Sequence, residues 1–313
     1  MDHRFRAFTF VDHIHAVQPG VGIQGRYAIP SGIATFSPAL VAEAVGQLAA
    51  WSVMAAVDFQ FRPVAGLAAS IELLAPVCPG DVLELAADLE TLDHQCASYS
   101  GFARRANTPL LRLDHAVGPM LPADQFDDPA ALRQHFARLR SERVPSGAFA
   151  GLAEASVELL GGEPGQSLRA SLQVPKSAPF FSDHFPRRPV FPGSLLIQSN
   201  LDLALRLAGE LPVPPKESTV PVDTLGDQEP VEDELRARAG ARGWGPGREE
   251  REWTVRRVTD VKFRAFTPPG EVLEIEACLE RLTADGALLN VQTRAGKRTV
   301  GSARVHLTPE TAP

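Results

Sequence analysis

HFPRRPVFPGS, residues 184–194, is the stretch of this chain that carries most information about its fold and chemistry. It places His184 at the start of a turn that prolines make rigid. The Pro-Gly step at Gly193 then leads into the apolar run Leu195–Ile197, which predicts the start of a helix. A base on a rigid turn beside a helix N-terminus suits chemistry in which negative charge develops on a carbonyl oxygen. His184 is therefore the first candidate for a catalytic residue.

A second motif occurs twice in the chain. PGDVLEL at residues 79–85 recurs 190 residues later as PGEVLEI at residues 269–275. The similarity continues from LETL at residues 89–92 to LERL at residues 279–282. This interval is too long for the repeat of a solenoid, so the sequence predicts two copies of one domain.

A helix is predicted upstream of the first copy of that motif. Ser37 is suited to the N-cap and the following proline to the first helical position, and the helix should run to about residue 57. Glu43 lies on a mostly apolar face of this helix, where a buried carboxylate is costly unless it is neutral or paired. Gln47, one turn later, can hydrogen-bond Glu43, although simple helix packing explains Gln47 equally well.

The two copies differ at the positions that matter for chemistry. Aligning their helices places Glu43 opposite Gln198 and Ile29 opposite His184. The first copy therefore has an acid without a histidine, and the second has a histidine without an acid. Such complementary loss is expected after a duplication when only one of two sites has to work.

Residues 184–198 resemble the HFPxxPVxPGxLxxE signature of the hot-dog-fold 3-hydroxyacyl-ACP dehydratases, with Gln198 at the position of the family's acid. The resemblance implies an α+β fold in which an antiparallel sheet wraps a long central helix. It also implies that His184 removes the C2 proton of a (3R)-3-hydroxyacyl thioester. The N–H of Gly193 would hold the thioester carbonyl, or this glycine only relieves crowding. The carbonyl of Val190 would fix the histidine tautomer.

In that family two hot-dog subunits pair, and each site takes its histidine from one subunit and its acid from the other. Carried onto this chain, the resemblance implies a double hot-dog with domains at residues 1–145 and 146–313. His184 and Glu43 would then share a single intact site, where Glu43 protonates the departing C3 hydroxyl. The expected product is the trans-2-enoyl thioester, and neither a metal nor another cofactor is required.

The remaining pattern supports two α+β copies. Alternating apolar residues predict strands at four places after the central helix, residues 67–74, 82–89, 96–103 and 110–117. Residues 8–14 resemble an opening strand, and residues 122–145 a helical linker. The helix motif recurs after 155 residues but the strand motif after 190, so the second copy carries about 35 extra residues. We assign them to residues 211–252, where the absence of apolar periodicity predicts an inserted loop.

Composition excludes several classes of function. A net charge of −7 argues against a nucleic-acid surface. The apolar runs are short and interrupted, which predicts no membrane span, and the N-terminus lacks the apolar core of a signal peptide. The three cysteines, Cys78, Cys96 and Cys278, are too widely spaced for a metal motif and are expected to be reduced thiols. We therefore expect a cytoplasmic protein.

Partners and competing functions stay open at this stage. The resemblance implies an acyl carrier protein as partner. Arg187 and Arg188 are either solvated charges or contacts to that acidic protein or its phosphate-bearing arm. A homo-oligomer is also possible. An acyl thioesterase, an enoyl hydratase and a non-catalytic acyl-binding scaffold are the alternatives. The histidine argues against a thioesterase, and separation of His184 from Glu43 would favour the scaffold.

Overall fold

A computed structural model of the chain describes residues 4–141, 149, 156–211 and 252–309. The helices are α1 (Pro38–Ala56), α2 (Pro129–Ser141) and α3 (Gly193–Ala208). The strands of the first half are β1 (His13–Gln18), β2 (Gly22–Ala28), β3 (Phe61–Pro63), β4 (Leu67–Leu73), β5 (Val82–Leu92), β6 (Cys96–Arg105) and β7 (Thr108–Pro122). Those of the second half are β8 (Ser156–Gly161), β9 (Ser167–Gln173), β10 (Trp253–Phe263), β11 (Val272–Leu282), β12 (Ala287–Ala295) and β13 (Arg298–Pro309).

The central helix begins where the sequence predicts. Ser37 accepts the backbone N–H of Leu40 at 3.3 Å, and Pro38 occupies the first turn. The helix has the length and hydropathy of a membrane span, but 61% of its apolar stretch is buried inside the protein, as in other core helices. It packs on β2, β5, β6 and β7, while α3 packs on β9 to β13. The two helices also contact each other.

The strands form one antiparallel sheet with the order β1-β2-β5-β6-β7-β4-β10-β13-β12-β11-β9-β8, and β3 pairs with β7 outside this path. Read outward from the centre, the two halves have equivalent orders. They meet at β4 and β10, where Ile71 lies opposite Val258 and Arg257 Nε donates to Ser70 Oγ at 2.8 Å. The four strands predicted after α1 are present, with β5, β6 and β7 extending further than the alternating pattern indicated.

The repeated motif has the same backbone geometry in both halves. Gly80 and Gly270 both have positive φ, at 91° and 80°, which explains why the turn before each long strand contains glycine. The pairing of β5 with β6 shifts register between Leu89 and Thr91, and β11 with β12 shifts between Leu279 and Arg281. These bulges lie 190 residues apart, like the motifs themselves.

One predicted strand is wrong. Residues 8–12 are not part of the sheet, and β1 begins only at His13. The backbone N–H groups of Phe8 and Phe10 donate to the side chains of Asp183 and Gln47 instead of a neighbouring strand. The predicted linker does contain α2. The predicted domain boundary at residues 145/146 and nearly all of the 211–252 insertion lie outside the described residues.

Candidate active site

His184 is held by a network of backbone hydrogen bonds. Its N–H donates to the carbonyl of Phe180 at 2.8 Å, and its own carbonyl accepts the N–H of Val190 at 3.1 Å. Nδ1 lies 2.9 Å from the carbonyl oxygen of Val190. A carbonyl can only accept, so Nδ1 carries the proton and Nε2 is the basic nitrogen of the neutral ring. This geometry is therefore consistent with the histidine tautomer that the family resemblance implies.

Glu43 lies in the half of the chain opposite to His184 and is oriented by Gln47, one helical turn away on α1. It lies half-buried on α1, and its Oε1 accepts a hydrogen bond of 3.0 Å from Nε2 of Gln47. The same nitrogen donates to the carbonyl of Phe8 at 3.1 Å, while Oε1 of Gln47 accepts from the N–H of Phe10 at 2.9 Å. Because these backbone groups determine which end of the amide is the donor, Gln47 presents N–H to the carboxylate.

A single cavity of about 420 Å³ brings the predicted residues together. Its walls come from both halves of the chain and are largely apolar. The sequence-predicted residues that line it are His184, Glu43, Gln47, Val190 and Gly193. A histidine and a carboxylate in one apolar enclosure can move protons on an acyl substrate that fills the remaining space.

The electrostatic surroundings of His184 favour its neutral form. Burial lowers the pKa of His184, and the positive charge of Arg62 acts in the same direction. The negative charge of Glu43 and the hydrogen bond to Val190 oppose this effect without reversing it. A neutral imidazole at physiological pH is the form that can accept a proton.

Arg62 is a charged residue of this site that sequence reasoning missed. It follows α1 on the short strand β3, lines the cavity, and lies with its guanidinium carbon 4.0 Å from the centroid of the Phe185 ring. Nη1 is 3.9 Å from Asp127, which also pairs with Arg4. Burial lowers the pKa of Arg62 to about 10, and the charge of Glu43 opposes that change. Arg62 is therefore a cation near the histidine and the carboxylate at neutral pH.

Tyr99 is a second residue of the cavity that the sequence pattern did not predict. It lies on β6, lines the cavity, and has a pKa well above its ordinary value because it is buried and faces the charge of Glu43. A Cβ at Gly46 would approach the Tyr99 hydroxyl to 3.1 Å. The alternating pattern of a strand predicts which of its positions face inward. It does not predict which of these side chains lies beside α1.

Gly193 begins α3, whose first-turn N–H groups have no partner within the helix. A Cβ at this position would lie 2.8 Å from Cζ of Phe263. The crowding interpretation of Gly193 is therefore supported, and it is compatible with an N–H that points to a substrate oxygen.

The two predicted carrier-protein contacts lie outside the cavity lining. Arg187 and Arg188 are exposed on the turn after His184. Arg187 Nη1 donates to the carbonyl of Asp124 at 2.9 Å, and Arg188 stacks on the ring of Phe266 at 4.9 Å. Both cations are thus held at the surface by contacts within the protein.

The residues opposite the catalytic candidates in the alignment do not line the cavity. Gln198 donates to Asp202 at 2.6 Å, and Ile29 is buried in the main hydrophobic core with 2% exposure. Within the described part of the chain, no three His, Cys, Asp or Glu side chains are grouped so as to hold a metal ion.

The fold belongs to a known class. The structure of an oleoyl thioesterase from Lactobacillus plantarum superposes with a TM-score of 0.54, covering 94% of this chain and 98% of that chain. At 9% sequence identity the likeness concerns the fold alone. Residues 156–219 match the FabA-like domain family. Together with the antiparallel sheet that packs on long helices, these similarities define a hot-dog protein.

Sequence relatives narrow the class. A 3-hydroxyacyl-[acyl-carrier-protein] dehydratase FabZ from Polaromonas sp. (strain JS666) is 37% identical over 150 residues, which are 48% of this chain and 81% of the relative. A FabZ from Albidiferax ferrireducens is 30% identical over 122 residues, which are 39% of this chain and only 61% of the relative. The chain belongs to the hot-dog 3-hydroxyacyl-ACP dehydratase family.

Proposed function

We propose that this protein dehydrates a (3R)-3-hydroxyacyl thioester, carried on an acyl carrier protein, to the trans-2-enoyl thioester. The observation that carries the proposal is the shared cavity of His184, from the turn before α3, and Glu43, from α1. Separation of the two side chains would favour a non-catalytic scaffold, whereas here both line one cavity. The names of the FabZ relatives support the same substrate class.

The proposed reaction uses each group once. Nε2 of His184 accepts the C2 proton, and the N–H of Gly193 at the start of α3 stabilises the negative charge that develops on the thioester oxygen. As the C2–C3 double bond forms, the C3–O bond breaks and Glu43, which enters the proposed cycle as the carboxylic acid, gives its proton to the leaving hydroxyl, which departs as water. His184 then returns the proton to the Glu43 carboxylate through solvent or product water. Gln47 keeps the carboxylate oriented throughout.

We further propose that the chain is a double hot-dog, with domains at residues 1–145 and 146–313. Support comes from the equivalent strand orders, the junction of β4 with β10, and the bulges that recur at the repeat interval. In this architecture one domain supplies the acid and the other the histidine, so one chain contains one complete site.

The proposed carrier protein would approach the turn that contains Arg187 and Arg188. Both side chains are exposed, and both belong to the turn that begins at His184. Acyl carrier protein is acidic and presents a phosphate on its prosthetic arm, so two guanidinium groups there would favour its docking. This partner implies a cytoplasmic location for the protein.

The test is an assay with (3R)-3-hydroxyacyl-ACP that follows enoyl product, free thiol and free acid separately. His184→Asn and Glu43→Gln should each lower the rate of enoyl formation on the order of 10²–10⁴-fold, because each removes a proton-transfer group. Matched controls are His115→Asn and Glu90→Gln, an exposed His–Glu pair joined at 2.6 Å outside the cavity lining. These controls should retain wild-type activity.

The alternatives predict different products. Release of free thiol and acid by the wild-type protein would identify a thioesterase. Tight binding of acyl thioesters without any turnover would identify a scaffold. Hydration of a 2-enoyl thioester is the reverse of the proposed reaction and should depend on the same two residues. Either of the first two results would overturn the proposal.

A further inference from the structure

The carboxylate of Asp183, the residue before His184, accepts hydrogen bonds from the consecutive backbone N–H groups of residues 5–8. It accepts from Phe5 at 2.6 Å, Arg6 at 3.0 Å, Ala7 at 2.7 Å and Phe8 at 2.8 Å. The hydroxyl of Thr9 adds a longer contact of 3.4 Å. Successive N–H groups that converge on one carboxylate form an anion-binding nest, and hydrogen bonds to an ionised acceptor are stronger than neutral ones.

The same segment is bound at the acid side of the site. Gln47 donates to the carbonyl of Phe8 and accepts from the N–H of Phe10, and it is Gln47 that hydrogen-bonds Glu43. The ring of Phe8 meets the ring of His184 edge to face, with centroids 5.8 Å apart. Residues 5–10, which we term the brace segment, thus contact the histidine and the carboxylate's partner at once.

We propose that Asp183 is a positioning residue, which anchors the brace segment so that it holds His184 and Glu43 in a fixed relative position. This inference rests on the proposed function, because it assigns the brace to the site where those two residues act. The two groups are supplied by different halves of the chain, which also meet through sheet pairing, helix packing and the stacking of Arg62 on Phe185. A segment bonded to both sides fixes the separation that proton transfer to and from one substrate requires.

The competing explanation is that Asp183 only fixes the position of residues 5–8 and has no effect on the active site. That role requires the four backbone hydrogen bonds to Asp183, but it predicts no coupling between Asp183 and Gln47. If the brace segment positions the two groups, in contrast, substitutions of Asp183 and of Gln47 must both act through the six residues of this segment. The difference is measurable, because residues that act through one shared element show non-additive effects.

The experiment is a double-mutant cycle on the full chain with Asp183→Asn and Gln47→Ala. Asn keeps one acceptor oxygen but loses the charge and the second acceptor. We expect Asp183→Asn to lower kcat on the order of 10- to 100-fold with little change in KM, since misplacement by about 1 Å has effects of this size. The kcat of the double variant should be close to that of the less active single variant. It should not be lowered by the product of the two single fold-reductions.

The matched control is Asp81→Asn, which removes the charge of another turn carboxylate. Asp81 accepts the N–H of Cys78 at 2.8 Å and pairs with Arg105 at 2.7 Å, and it does not line the cavity. We expect this variant to keep wild-type kcat and to be additive with Gln47→Ala. Wild-type kcat in Asp183→Asn, or full additivity of Asp183→Asn with Gln47→Ala, would overturn the brace.

Hydrogen exchange supplies a readout independent of activity. The amides of Phe5 to Phe8 should exchange faster in Asp183→Asn than in the wild type, while amides of β5 remain protected. If the wild-type protein does not dehydrate the substrate, the proposed function fails, whatever the exchange rates are. If it does, and these amides exchange equally in both proteins, the proposed function survives and the brace is rejected.

Discussion

The guanidinium of Arg62 stacks on the ring of Phe185 at 4.0 Å, and Phe185 is the residue that follows His184. This contact joins the first half of the chain to the histidine turn of the second. It also holds a positive charge beside His184, which must be neutral to act as the proposed base. Asp127, which also pairs with Arg4, and Glu43 are the carboxylates that act on this cation.

Removing the charge of Arg62 should move the acid limb of the pH profile. Arg62 lowers the pKa of His184, so Arg62→Met should raise that pKa, and the histidine will be protonated at a higher pH. The acid limb of kcat/KM should therefore shift to higher pH, because only the neutral imidazole can accept the C2 proton. Arg62→Lys keeps the charge and is the matched control. An unchanged acid limb in the Met variant would show that Arg62 has no electrostatic role.

Gln198 should be dispensable. Its amide bonds Asp202 instead of any group of the cavity, although it aligns with Glu43 in the repeat. Gln198→Ala should therefore keep kcat within about twofold of wild type, whereas Gln47→Ala, on the corresponding face of α1, should lower it. Comparison of the two alanine variants in the dehydration assay is sufficient. Equal losses would mean that the two halves have been paired wrongly.

Substitution of Gly193 tests its two interpretations, which are relief of crowding and donation of its N–H to the thioester oxygen. In Gly193→Ala the new methyl meets the Phe263 ring, and such overpacking typically costs about 1–3 kcal/mol of stability. Phe263→Leu should make room for it, and alanine still has its N–H. We therefore expect the double variant to recover both the urea midpoint and kcat/KM relative to Gly193→Ala. A single variant as stable and active as wild type would contradict the close contact.

The elements that the sequence predicted well are those set by local patterns. Ser37 caps α1 because its side chain accepts a helical N–H that no earlier turn can bond. Gly80 and Gly270 mark turns because their positive φ disfavours other residues. That His184 and Glu43 line one cavity is predictable only from the repeat and from the family resemblance, since no local pattern connects residues so far apart.

The features that the sequence did not predict depend on contacts between segments that are far apart in the chain. Phe8 and Phe10 alternate as in a strand, but Asp183 and Gln47 bind the backbone groups that a strand would use. Arg62 lies on a short strand where an arginine is usually solvated, but here it packs on the ring of Phe185, from the other half, and lies near Asp127. Neither arrangement leaves a periodic signal, because each is made by side chains from distant segments.

Acid should weaken the fold in part through His135. This side chain of α2 is 4% exposed and stacks on Phe5 with centroids 4.0 Å apart, and burial, with the nearby charges of Arg138 and Arg4, lowers its pKa to about 4. In the unfolded chain the pKa of histidine is about 6.5, so between about pH 6.5 and 4 the unfolded state binds a proton that the native state does not. Stability should therefore fall as the pH drops through this window, by at most about 3 kcal/mol from this residue. His135→Phe keeps a ring in the stack and should show a smaller loss in urea unfolding between about pH 7 and about pH 4.5. His184 titrates in both proteins and cancels from the comparison, so identical losses would mean that His135 is not buried in its neutral form.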